Sequence, residues 1–154
     1  MTPEERKKIV ASNPRIFHDF WVLEQLEAGI VLQGGEIKSV REGKVSIREA
    51  FGRVEGGELF LYNAYIAPYE KESFARWEPR RKRKMLLHRK QIDRWAGKLR
   101  AGGLTVMPLE MYIINGRAKV LLGLVKAKKK YDKRREIRKR EEERETRRWE
   151  KRKR

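Results

Sequence analysis

The sequence has no cysteine and only two histidines among its 154 residues. Without thiols there is no disulfide framework, no thiolate metal site and no cysteine nucleophile, and no paired histidines offer a metal-ligand spacing. Serine is scarce as well, at positions 12, 39, 46 and 73. The apolar runs have the length of strands rather than membrane spans, and the first thirty residues hold nothing like a signal-peptide core. No phosphate-cradling glycine loop exists, since Gly34 and Gly35 lack the spacing of the dinucleotide fingerprint. These absences weigh against catalysis, metals and cofactors, and a soluble, unprocessed cytoplasmic protein is expected.

Cationic side chains are what the sequence has in excess. Lys and Arg number 40 against 22 Asp and Glu, a net charge of +18 on 18.4 kDa. Residues 126 to 154 alone hold 17 cations and 7 anions, so a basic body carries a more basic arm. Charge of one sign on this scale repels itself unless a polyanion neutralises it, and nucleic acid is the first candidate. A membrane surface fits less well, because Tyr131, Ile137 and Trp149 are the arm's only clearly apolar side chains.

Local patterns predict a mainly β domain over residues 1 to 126, followed by a basic tail over 127 to 154. Thr2-Pro3-Glu4-Glu5 reads as a helix start, giving a short helix or turn before Asn13-Pro14. Alternation over His18 to Glu27 suits a strand, with a second at Ile30 to Leu32. A short helix is predicted around Ile37 and Val40, ending at Gly43. Gly56-Gly57 joins Phe51 to Glu55 with Glu58 to Ile66, and Asn115-Gly116, favoured in type I′ turns, joins Leu104 to Ile114 with Arg117 to Val125. Between these hairpins, Ile92, Trp95 and Leu99 share one face of a helix over Arg89 to Ala101. Five or six antiparallel strands with two or three small helices fit a barrel, although composition alone also allows a sandwich. A monomer is expected, because no apolar stripe is left over beyond the core.

Chemistry beyond binding finds little support. His18 with Asp19 and His88 with Asp93 are the only acid–base pairings, and a histidine at an element end, bonded to backbone or RNA, is the blander role for each. The run Arg80-Arg81-Lys82-Arg83-Lys84, preceded by Trp77, favours phosphate contact over an idle solvated loop. The tail's charge and few apolar residues predict disorder in isolation. Its residues are nonetheless good helix formers, so a helix on contact with a polyanion is expected, with Tyr131 and Trp149 placed to stack on bases.

Five segments in order, NPRIFHDF at 13 to 20, LQGGEIKSVREGK at 32 to 44 after Glu27-Ala28-Gly29, PRRKRKMLLHRKQID at 79 to 93, GLTVMPL at 103 to 109 and KAKKKYDKR at 126 to 134, resemble the bacterial SsrA-binding protein family, small protein B. The resemblance covers nearly the whole chain. It implies an oligonucleotide-binding (OB) barrel of about six antiparallel strands with three small helices and a tail that is disordered in the free protein. It further implies a non-enzymatic partner of transfer-messenger RNA. Such a protein binds the tRNA-like domain and, with elongation factor Tu indirectly involved, brings it to stalled ribosomes, where the tail becomes helical in the mRNA channel. Carried over by position, RNA contacts fall on Asn13, Glu27, Leu86 and Lys119, with Arg15, His18, Lys38, Arg83, Lys84, Lys126, Lys128 and Lys129 beside them. From the residues alone, packing of Leu86 in the core is as good a reading. In the tail, Tyr131, Asp132, Lys133, Arg134 and Trp149 take the ribosome-contacting positions. Pro14, Ile16, Gly35 and Ala127 depart from the family pattern; Ala127 in place of glycine favours helix by about 1 kcal/mol. A ribosomal-protein-like or assembly factor gripping rRNA is the alternative.

Overall fold

Asn115 and Gly116 both take positive φ, 51° and 73°, the conformation a type I′ turn demands, and the strands on either side run nearly their full length together. In the computed structural model, which describes residues 7–68 and 78–152, these are β8 (Thr105–Ile114) and β9 (Arg117–Ala127). They follow β1 (Lys8–Ser12), α1 (Ile16–Asp19), β2 (Phe20–Ile30), α2 (Glu36–Arg41), β3 (Val45–Ser46), β4 (Phe51–Glu55), β5 (Glu58–Tyr62), β6 (Tyr65–Ile66), β7 (Arg83–Leu86) and α3 (Arg89–Arg100). The chain ends on α4 (Lys130–Arg152).

The strands β8-β4-β5-β7-β2-β9 are hydrogen-bonded in that order, and β9 pairs back onto β8, so six antiparallel strands close a ring. Strand β1 adds to the free stretch of β8, and β3 pairs with β6 in a separate ribbon. Closure at β4 and β8 rests on Gly52 opposite Val106, where a Cβ on Gly52 would lie 2.7 Å from Val106 Cγ1. Pro108 cannot donate to a ladder, and β8 bulges between Pro108 and Glu110. Leu59, Leu61, Met85, Val106, Met111, Val120, Leu122 and Leu124 fill the barrel, and Trp95 of α3 plugs it.

Several elements differ from expectation. Residues 8 to 12 form a strand, while the predicted helix start at Thr2 to Glu5 lies outside the described residues, as does Trp77. His18 sits in α1 rather than a strand, because Asn13 and Pro14 carbonyls accept from Ile16 and Phe17 and tuck Ile16 into the core beside Leu109 and Val125. The two strands expected over 18 to 32 are one, β2, paired along β9 from Phe20 to Gly29. The strand expected to run from Glu58 to Ile66 breaks at Asn63, whose φ of 63° turns the chain out of the ladder. Gly35 has a φ of 87°, a left-handed conformation suited to the glycine found there. Ala127 is the last residue of β9, opposite Phe20, so its helix propensity has no bearing. The tail expected to be disordered in the free protein is helical from Lys130, with Glu136 and Arg140 paired one turn apart.

Candidate nucleic-acid interface

Strand alternation decides which predicted contacts reach the surface. Along β2, Ala28 and Ile30 point inward, so Glu27 and Gly29 face outward. Gly29 lies opposite Leu86 on one side and Lys119 on the other, which brings Glu27, Leu86 and Lys119 onto one outer face. Leu86 is 53% exposed, so it lies on the surface and not in the core. Its side chain leans over Gly29, where an added Cβ would sit 3.2 Å from Leu86 Cβ. The same face opens into a recess of about 390 Å³ lined by Leu32, Gln33, Ile37, Leu86 and Lys119, with Lys38 next in α2. Glu27 accepts the Tyr112 hydroxyl, and burial together with that bond pushes the phenol's pKa up and keeps it a donor. Tyr112 was not singled out in the sequence; its pairing opposite Lys119 is a long-range register that no local pattern displays.

Arg83 and Lys84 are neighbours with opposite fates. Lys84 is exposed, 3.7 Å from Glu58. Arg83 has no exposure; Nε donates to Glu36 at 2.8 Å, and its remaining nitrogens donate to Glu36 and to the carbonyls of Ala64, Arg81 and Pro79. Arg83 therefore cannot reach a phosphate, and the contact expected of it is corrected to an internal role. Arg81 also donates to Glu36, so one buried carboxylate is shared by two guanidiniums.

The second group lies around the other end of β2. Between Trp21 and Gly29 the strand spans roughly 25 Å, so the two groups are well separated. Here the half-buried Asn13 donates through Nδ2 to the Arg48 carbonyl at 3.3 Å. Arg15 is exposed, and His18 Nδ1 lies 3.0 Å from Asp19 Oδ1. No hydrogen bond among the described residues joins His88 to Asp93; His88 instead caps α3, its backbone N–H donating to Gln91. Lys126 and Lys129 are exposed. Lys128 is buried, its ammonium donating to the Phe17 carbonyl and Glu136 and lying 4.3 Å from the centre of the Trp21 ring. The phosphate contact expected of Lys128 is thus replaced by anchorage of the tail helix.

In α4, Asp132 accepts from the Lys129 N–H at 3.3 Å, and Lys133 donates to Asp19 at 3.0 Å. Hydrogen bonds from His18 and then Lys133 lower the pKa of Asp19, and the Lys128 ammonium does the same for Glu136. Tyr131, Arg134 and Trp149 are exposed.

A family model described as SmpB protein matches residues 10–152. An SsrA-binding protein of Geobacillus sp. (strain WCH70) is 50% identical over 143 residues, 93% of this chain and 92% of that protein. One from Carboxydothermus hydrogenoformans is 50% identical over 139 residues, 90% of this chain and 93% of its own length. Among solved structures, a chain from "tmRNA-SmpB: a journey to the center of the bacterial ribosome" superposes with a TM-score of 0.65 at 50% identity, covering 82% of this chain and 93% of that one.

Proposed function

The chain belongs to the SmpB family of SsrA-binding proteins, and from that premise we propose that it binds the tRNA-like domain of transfer-messenger RNA and delivers it to stalled ribosomes. It acts by binding, not by catalysing a reaction, and works as a monomer in the cytoplasm with the ribosome and, indirectly, elongation factor Tu. The observation that carries the reading is the outer face at Gly29, where an exposed leucine stands between Lys84, Lys119 and Glu27. A folded RNA loop offers such a face an unstacked base for Leu86, phosphates for the lysines and a ribose or base edge for Glu27. Arg15, His18, Lys126 and Lys129 supply the second group, with Asn13 setting the backbone between them.

Barrel and tail divide the work, with recognition in residues 1 to 126 and the adjoining Lys129, and ribosome contact in the tail through Tyr131, Asp132, Arg134 and Trp149. The decisive test compares affinity for the tRNA-like domain with that for an elongator tRNA at about 150 mM salt, with and without residues 128 to 154. Selective binding that survives truncation supports the reading; equal, tail-dependent binding to both RNAs replaces it with a general rRNA binder. Alanine at Asp132, Lys133 and Arg134 together should leave RNA affinity intact and abolish peptide tagging in a reconstituted translation system. Loss of affinity instead would refute the division of labour.

A further inference from the structure

The outer face of β4, β5 and β7 carries aromatic rings and cations in cross-strand rows that the contacts above leave unused. Phe51 lies opposite Tyr62, and Arg53 opposite Phe60, which in turn faces Lys84. The Phe51 and Tyr62 rings stack, 5.5 Å between centres and 9° from parallel. Lys82 Nζ sits 4.7 Å from the Phe60 ring centre and 6.0 Å from that of Tyr62. Glu55 holds that ammonium at 3.1 Å while accepting the Tyr62 hydroxyl, which ties Lys82 to the Tyr62 ring. Phe51 remains 37% exposed, and Arg53 is exposed with no ion pair among the described residues. One side of this face continues through Lys84 into the Leu86 and Lys119 surface. On the other, Phe51 and Arg53 form one wall of a recess of about 660 Å³ whose opposite wall is Ala96, Leu99 and Arg100 of α3.

We propose that this face is a second RNA-contact surface that takes an unpaired stretch of RNA, with one base stacked on Phe51 and the flanking phosphates on Arg53 and Arg100. An aromatic ring open to solvent and bordered by guanidiniums suits a base whose face is free, which paired bases inside a duplex do not offer. Continuity with the Leu86 surface lets one RNA run from a folded loop at Gly29 onto single-stranded sequence at Phe51. The inference rests on the RNA-binding reading above but not on the identity of the RNA.

The test titrates the full-length protein with an octamer of unpaired uridine carrying one 4-thiouridine, at about 150 mM salt to weaken bare phosphate contacts by the tail. Crosslinked residues are mapped by mass spectrometry, and the tRNA-like domain is titrated in parallel. The octamer should crosslink to Phe51 or Tyr62. Phe51→Ala should weaken its binding roughly 5- to 150-fold, Phe51→Tyr should bind as the parent, and Ile9→Ala, at an exposed position of β1, should stay within about twofold. Thermal unfolding shows whether each variant is folded, and Phe51→Tyr retains the ring should the alanine variant fail. Either no crosslink at Phe51 or Tyr62, or equal octamer binding by Phe51→Ala and Phe51→Tyr, overturns the proposal. Loss of preference for the tRNA-like domain over elongator tRNA would sink the transfer-messenger reading alone, leaving the octamer result to decide this one.

Discussion

Glu36 is wholly buried and holds both Arg81 and Arg83, joining the start of α2 to the entry of β7. Removing one partner of such a group strands the others, so Glu36→Ala should cost about 3 to 5 kcal/mol in urea unfolding. A loss below about 1 kcal/mol would mean that Arg83 escapes to water when its partner goes. At Gly29 the expectation separates stability from binding. Leu86→Ala removes an exposed side chain and should change stability by less than about 0.5 kcal/mol while weakening binding of the tRNA-like domain several-fold. Gly29→Ala should act in the same direction, because its Cβ would press on Leu86 Cβ and Cδ1. Unchanged RNA affinity in both variants would remove this face from the interface. The five-cation run hid this distribution because strand alternation assigns Arg83 and Met85 inward and Lys84 and Leu86 outward. The sequence Met85-Leu86-Leu87 fits either register, so only the pairing of β7 with β5 and β2 decides which leucine meets solvent.

Elements defined by local turn chemistry were legible: both glycine-bearing hairpins, α2 and α3 lie where the sequence places them, and the family segments pointed to the barrel. What escaped were long-range pairings, such as β3 with β6, and the joining of 20 to 30 into one strand along β9. Helix α4 belongs to the same class. Its propensity was visible, but its anchorage depends on Lys128 meeting Glu136, Trp21 and the Phe17 carbonyl, and on Lys133 meeting Asp19. Both carboxylates have lowered pKa values, Asp19 through hydrogen bonds from His18 and then Lys133, and Glu136 through the Lys128 ammonium. The anchorage therefore contributes fully above the ordinary carboxylate range and fades as the pH falls beneath that range through the lowered values. Spin labels on α4 and β2 should keep one short separation down to that range and broaden beneath it. Asp19→Asn combined with Glu136→Gln should give the broad distribution at neutral pH. A broad distribution in the parent protein at neutral pH would show that these contacts do not hold the helix.

At the scale of the whole molecule, charge and closure act together. A net +18 cannot be neutralised internally, and the ring of six strands leaves the backbone little with which to recruit a partner, so affinity must come from side chains on the outer faces and on α4. Counterion release then sets how binding responds to salt. With some five phosphates met by the barrel, the logarithm of affinity for the tRNA-like domain should fall against the logarithm of salt with a slope of roughly −3.5 to −4.5. The size of the tail makes this a sharp test of where recognition lies. If the basic tail, with 17 cations over residues 126 to 154, grips this RNA, removing residues 128 to 154 should flatten the slope steeply. If the Gly29 face and the basic group beside α1 carry the contact, truncation should change the slope by no more than about one phosphate's worth, because Lys128 is already committed to Glu136 and Lys133 to Asp19. A slope near zero in the full-length protein would mean that the basic surface, for all its charge, is not the interface.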